Sequence, residues 1–108
     1  MGKRIYISGA ITDNPDYIND FRNAEMRLFR KYLDADWEYH EIINPVKVAF
    51  ALPSSFTHEE YMAVDMILLT KCDAIYMLKN YKNSKGALAE LIIAKQMGLK
   101  VLYEEEGD

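Results

Sequence analysis

An α/β domain with a mainly parallel sheet is the fold class that these 108 residues predict. Short apolar runs alternate along the chain with longer segments of helical spacing, the pattern of successive strand-helix-strand units. Two of the runs, Arg4-Ile5-Tyr6-Ile7-Ser8 and Asp73-Ala74-Ile75-Tyr76-Met77-Leu78, are apolar almost throughout and bounded by polar residues, as suits strands covered on both faces. Helix start and stop signals fall in the segments between them.

Taken in order, Arg4 to Ser8 is the first and central strand, on its β-branched and aromatic content. Gly9-Ala10-Ile11-Thr12 follows as a tight turn. Asn14-Pro15-Asp16 predicts a helix start, with Asn14 as cap and Pro15 at the first helical position. Ile18, Phe21, Ala24, Leu28, Phe29 and Tyr32 recur at helical spacing as its core face and carry it to about Leu33, while Arg22, Arg30 and Lys31 form a solvated side. A second strand lies between Trp37 and Ile43 and ends at Asn44-Pro45, where the ring stops sheet pairing. Val46 to Ser55 reads as a loop with at most a helical turn around Val48-Ala49-Phe50, covering the site or filling a gap in the core.

Thr57-His58-Glu59-Glu60 is a capping box, so another helix begins there. Tyr61, Met62, Val64, Leu68 and Leu69 give it a core face, and the acid Asp65 falls among them. Asp73 to Leu78 is the third strand. The helix opened by Asn83-Ser84-Lys85-Gly86 is stopped by Gly98, and Lys100 to Tyr103 is the fourth strand. Right-handed crossovers about a central first strand give three layers in the order 2-1-3-4, a flavodoxin- or Rossmann-like arrangement in a single domain, 1–108. The tail Glu104 to Asp108 reads as frayed and solvated.

Composition narrows the function. A net charge of -4 argues against binding polymeric nucleic acid, which needs clustered Lys and Arg. The single Cys72 excludes an internal disulfide and reads as a buried apolar residue in a reducing, cytoplasmic setting. Met1-Gly2-Lys3-Arg4 runs straight into a strand with no apolar leader, and no stretch approaches a membrane span. The three-glycine dinucleotide pattern and the Walker lysine motif are both missing, and no His/Asp spacing suggests a metal. Neither cofactor nor metal is expected.

The chemistry concentrates on Glu90. From Gly86 to Ala94 it is the one charge on a helix apolar around most of its circumference, with Leu88, Leu91 and Ile92 as the stripe expected to face the sheet. A carboxylate placed there needs partners, and burial raises its pKa. An ion pair with Lys85 or a cap would explain it structurally. A nucleophile in glycosyl chemistry would explain it functionally, with Asp65 as the second acid and Tyr6 as a hydrogen-bonding partner. The surplus apolar surface of the Glu90 helix, Ala89 and Ile93 included, predicts a subunit contact and hence a homodimer or tetramer.

Tyr6-Ile7-Ser8-Gly9-Ala10, Asn44-Pro45, Asp65 followed eight residues later by Asp73, and Ser84-Lys85-Gly86-Ala87-Leu88-Ala89-Glu90 together resemble the nucleoside 2-deoxyribosyltransferase superfamily, in particular its short DUF4406-type members. The resemblance runs from Arg4 to Tyr103. It implies that Glu90 is the nucleophile, that Tyr6 orients it and that Asp65 serves the departing base. It also places Ser8, Gly9, Ala10, Ile11, Asn44, Asn83, Ser84, Lys85 and Gly86 around a nucleoside or nucleotide, with Gly9, Ala10 and Gly86 letting it approach the backbone. Ser84 stands where the transferases usually carry Asp and where related 2'-deoxynucleoside 5'-monophosphate N-hydrolases carry Ser for the phosphate. Lys79, Lys82 and Lys85 flank it, whereas the arginine of the hydrolases' first turn is missing from Gly9-Ala10-Ile11-Thr12. The expected activity is therefore cleavage of the N-glycosidic bond of a 2'-deoxynucleoside or its 5'-monophosphate, by hydrolysis or by transfer. A non-catalytic nucleotide-binding or sensing module on the same fold is the alternative.

Overall fold

The computed structural model describes residues 2–105. Four strands, β1 (Lys3–Ser8), β2 (Tyr39–Ile43), β3 (Ala74–Met77) and β4 (Lys100–Tyr103), form one parallel sheet in the order β2-β1-β3-β4. The topology is the one expected. Period-two alternation along β1 and β3 divides the core in two. Ile5, Ile7, Ala74 and Tyr76 pack with Phe21, Ala24 and Leu28 of helix α1 (Tyr17–Tyr32) on one face. Tyr6, Ile75 and Met77 pack on the other with Leu69 of α3 (His58–Thr70) and Ala87, Leu91 and Ala94 of α4 (Lys85–Gln96). Fully burying a side chain such as Phe21 or Leu28 contributes about 1.5–3 kcal/mol before ordering costs.

The capping box of α3 is formed in both directions: Thr57 Oγ1 accepts from Glu60 N at 3.2 Å, and Glu60 Oε1 accepts from Thr57 N at 2.8 Å. The Asn-Pro signal, by contrast, works at the other of its two occurrences. Asn14 does not cap α1. Its amide donates to Ala10 O and to Asp20 Oδ2, and its Oδ1 accepts from Asp16 N, so the side chain is consumed by a turn in which Asp13 has a φ of 62°. The helix begins only at Tyr17. At Asn44-Pro45 the same pair opens a helix, α2 (Pro45–Ala51), in the segment expected to be a loop, and Asn44 Oδ1 accepts from Val46 N at 3.0 Å. Pro45 ends β2, as expected, and also starts a helix.

Two further expectations change. On α4 the side facing the sheet is Ala87-Leu91-Ala94, while Leu88 is 37% and Ile92 58% exposed. The small side chains let the helix lie close to β1 and β3, so the bulkier Leu88 and Ile92 turn outward. At the end of the chain Glu104 is not frayed: its N–H donates to Met77 O at 2.8 Å, and its carboxylate accepts from Lys79 N at 2.9 Å and pairs with Arg27 of α1. Of the rest of the expected tail, Glu105 is exposed and Glu106-Gly107-Asp108 lies outside the described residues.

Candidate active site

At the carboxyl ends of β1 and β3 a cavity of about 880 Å³ opens between the turn after β1, helices α2 and α3, and the start of α4. In a parallel sheet whose strand order reverses beside β1, this is the crevice where ligands sit. The volume is within the range of small-molecule sites.

Glu90 forms part of the wall. It lies three residues after Ala87 and one before Leu91, so it belongs to the stripe of α4 that faces the sheet. Tyr6 and Ser8, two residues apart on β1, project to that same face. The Tyr6 hydroxyl donates to Glu90 Oε2 at 2.5 Å, and Ser8 Oγ donates to Glu90 Oε1 at 2.7 Å. Each carboxylate oxygen thus has one donor, and the group is held in a single orientation. Burial raises the Glu90 pKa above the usual carboxylate value, and the two donations oppose that rise by stabilising the charged form. Burial and then the Glu90 charge push the Tyr6 phenol well above its ordinary value, so it stays protonated and remains a donor.

Asp65 lines the cavity on α3. Its pKa is raised to about 7, first by burial and then by the negative charge of Glu90. Two carboxyl groups thus line one cavity, both pushed up by burial, but the Glu90 charge is stabilised by two donors whereas that of Asp65 is opposed by Glu90 itself.

Other expected residues are placed unequally. Gly9, Ile11, Asn83, Ser84, Lys85 and Gly86 line the cavity. Ser84 Oγ also accepts from Ala87 N at 3.1 Å and caps α4. A side chain at Gly86 would meet nothing closer than Ser84 Oγ at 3.8 Å, so the protein itself does not require glycine there. Gly9 differs, because a Cβ would come within 2.7 Å of the Leu78 side chain. Ser8 is buried beneath Glu90 and does not line the cavity. Ala10 is also buried, with its N–H donating to Asn80 Oδ1 at 3.1 Å. Asn44 is committed to α2 and to Glu25, to which its amide donates at 3.0 Å, and it too stays outside the cavity. Of the three lysines around Ser84, only Lys85 reaches the cavity; Lys82 lies over the Tyr81 ring.

Most of the remaining wall is not anticipated by the sequence reading. His58, Tyr61, Met62 and Met66 join Asp65 at i, i+3, i+4, i+8 and i+7, so one whole stripe of α3 faces the cavity. The period is visible in the sequence, but Tyr61 and Met62 have the apolar character of core residues and His58 that of an exposed first-turn residue. Tyr17 and Asp13 add to the wall, as do Val46, Ala49 and Phe50 from the segment expected to cover the site or fill the core. The stripe and the aromatic rings suit a flat, partly apolar ligand, and the paired Glu90 and Asp65 suit bond cleavage by nucleophile and acid.

A family model described as a domain of unknown function, DUF4406, matches residues 3–103. The chain belongs to the DUF4406 family. Among solved structures, this DUF4406 chain is similar to one described as a 2-deoxyribosyltransferase from the psychrotolerant bacterium Bacillus psychrosaccharolyticus. The TM-score is 0.70 at 17% identity, over 93% of this chain and 70% of that one. At that identity the likeness establishes a shared fold, in agreement with the resemblance read from the sequence. No curated protein matches the sequence. Among the described residues, no helix is long and apolar enough to cross a membrane.

Proposed function

We propose that the protein cleaves the N-glycosidic bond of a 2'-deoxynucleoside or its 5'-monophosphate through a covalent glycosyl-Glu90 intermediate. The observation that carries this reading is the pairing of a carboxylate held by two donors with a second, proton-retaining acid on one cavity wall. Glu90 attacks the anomeric carbon, the carbon-nitrogen bond breaks, and its electron pair leaves with the base. Asp65 supplies the proton that neutralises the departing base. In the second half a water, or the nitrogen of another base, attacks the same carbon, returns Glu90 as carboxylate and gives its proton to Asp65. Water completes hydrolysis and a base completes transfer. The fold shared with a 2-deoxyribosyltransferase supports the nucleoside as substrate class.

The same proposal includes a two-fold dimer with α4 or α3 in the contact: Ala89 lines the cavity and Ile93 packs against the core, and the exposed apolar surface is instead Leu88 and Ile92 on α4 and Ile67 on α3. Burial of that face would further dry the surroundings of Glu90.

The deciding experiment incubates the protein with each 2'-deoxynucleoside and each 5'-monophosphate and follows free base by chromatography. Release of base by the wild type, lost by about three orders of magnitude or more in Glu90→Gln with the fold retained, is the expected result. Tight binding without release in the wild type would instead identify a nucleotide-binding module.

A further inference from the structure

Tyrosines apart, Asn44 and Ser8 are the two polar residues that are buried among the described residues. Asn44 is accounted for by the start of α2 and by Glu25. Ser8 lies on the face of β1 that it shares with Tyr6, where its partner on β3 is the apolar Met77, and it is 1% exposed. A hydroxyl in that place costs more than the methyl group of alanine unless it is hydrogen-bonded. Its Oγ donates to Glu90 Oε1 at 2.7 Å.

The backbone holds the donor in place. The Ser8 carbonyl accepts from Leu78 N at 2.8 Å, and Gly9, next in the chain, packs so closely on Leu78 that a Cβ would come within 2.7 Å of it. Because Ser8 is buried and does not line the cavity, a ligand there does not reach its hydroxyl. The contact with substrate expected of Ser8 is replaced by a contact with Glu90.

The strength of that donation changes as a glycosyl group comes and goes. In the free enzyme the two Glu90 oxygens share a negative charge, and each has one donor, Tyr6 at Oε2 and Ser8 at Oε1. In the glycosyl-enzyme the carboxylate has become a neutral ester. A hydrogen bond to a charged oxygen is roughly twice as strong as one to a neutral oxygen. Ser8 therefore favours the carboxylate over the ester, whichever oxygen attacks. It helps most in the second half, where the bond between the Glu90 oxygen and the anomeric carbon breaks and its electron pair returns to the carboxylate.

We propose that Ser8 is a positioning residue that acts through Glu90: its donation to Oε1 favours the free carboxylate over the glycosyl ester and so shortens the life of the glycosyl-enzyme. The inference rests on the glycosyl-Glu90 reading made above and adds to it what ends the covalent stage. The base has left before the ester breaks, so the effect of Ser8 on breakdown by water is the same for every base carried by a given sugar.

The test compares wild type with Ser8→Ala. Alanine is serine without the oxygen, so the packing of β1 is kept, and thermal melts verify it. Each protein is mixed with each 2'-deoxynucleoside and each 5'-monophosphate and quenched at short times. Intact mass gives the glycosyl-enzyme, and chromatography gives free base and free sugar. Ser8→Ala should carry about tenfold more glycosyl-enzyme than wild type, with the added mass on the peptide that contains Glu90, and should release sugar more slowly than base. The acid limb of base release should also move to higher pH, because one of the two donations that oppose the effect of burial on Glu90 is gone. The titratable groups around Glu90, Tyr6 on β1, Asp65 on α3, and Asp13, His58 and Lys85 on the cavity wall, are the same in both proteins. With the fold intact, no more adduct in Ser8→Ala than in wild type at any pH above the acid limb would overturn the proposal, as would an acid limb that stays in place. Base release with unchanged adduct removes only the role of Ser8, whereas no base release by either protein sinks the glycosidic reading and the role of Ser8 with it.

Discussion

Replacing Tyr6 by Phe removes a single oxygen from the centre of the candidate site and leaves the ring. Tyr6 is fully buried between the sheet and α4, so the phenyl ring of Tyr6→Phe fills the same space and the packing energy is largely kept. What goes is the 2.5 Å donation to Glu90 Oε2, one of the two that stabilise the carboxylate in a position where burial favours its neutral form. A hydrogen bond to a charged group is worth about 1.5–3 kcal/mol, or about a tenfold to hundredfold change in the equilibrium between the two forms of Glu90. Glu90 must be ionised to attack, so the acid limb of the rate profile should move to higher pH. At a fixed pH on that acid limb activity should fall by about ten- to a hundredfold, with the loss recovered as pH rises above the limb. The assay is base release as a function of pH for Tyr6→Phe and wild type, with thermal melts to exclude a folding defect. An acid limb that stays in place would refute the argument that Tyr6 acts by stabilising the Glu90 charge, whatever the loss in rate.

Three further outcomes are expected. The Asp65 carboxyl titrates at about 7 in the folded chain, above its ordinary value near 4, so between those limits the folded state holds a proton that the unfolded state does not. Its contribution to stability is therefore present at low pH and lost as pH rises through 7, and Asp65→Asn should melt above wild type at pH 8 with a margin that shrinks toward pH 4. Gly86→Ala should leave the melting temperature unchanged or raise stability by up to about 1 kcal/mol, because open space receives the methyl group. If the ligand approaches the backbone there, KM rises, and an unchanged KM would remove Gly86 from the binding surface. Glu104→Ala should destabilise the fold by about 2–4 kcal/mol in urea unfolding, because it strands a half-buried Arg27 and removes the acceptor of Lys79 N. A loss under about 0.5 kcal/mol would mean that Arg27 simply reaches water.

The sequence by itself determined the sheet order, the buried strands, the capping box at Thr57 and the singular position of Glu90, because each is written in local periodicity or in the chemistry of a few adjacent residues. It also held the α3 stripe from His58 to Met66, whose spacing is legible although its destination is not. Only the tertiary structure decided which side of each helix meets what. Ala87 and Ala94 face the sheet because small side chains permit close approach, and that distance is a property of two elements together. Asn-Pro opens a helix at Asn44 and only a turn at Asn14, because Asn14 finds Ala10 O and Asp20 within reach. The same turn brings Asp13 to the cavity wall, which no periodicity announces. Glu104 reads as solvated in the sequence because its partner Arg27 is 77 residues earlier in the chain. Ser8 gained its place under Glu90 for the same reason: a donor and an acceptor 82 residues apart leave no local pattern, and only the parallel pairing of β1 with β3 brings them to 2.7 Å.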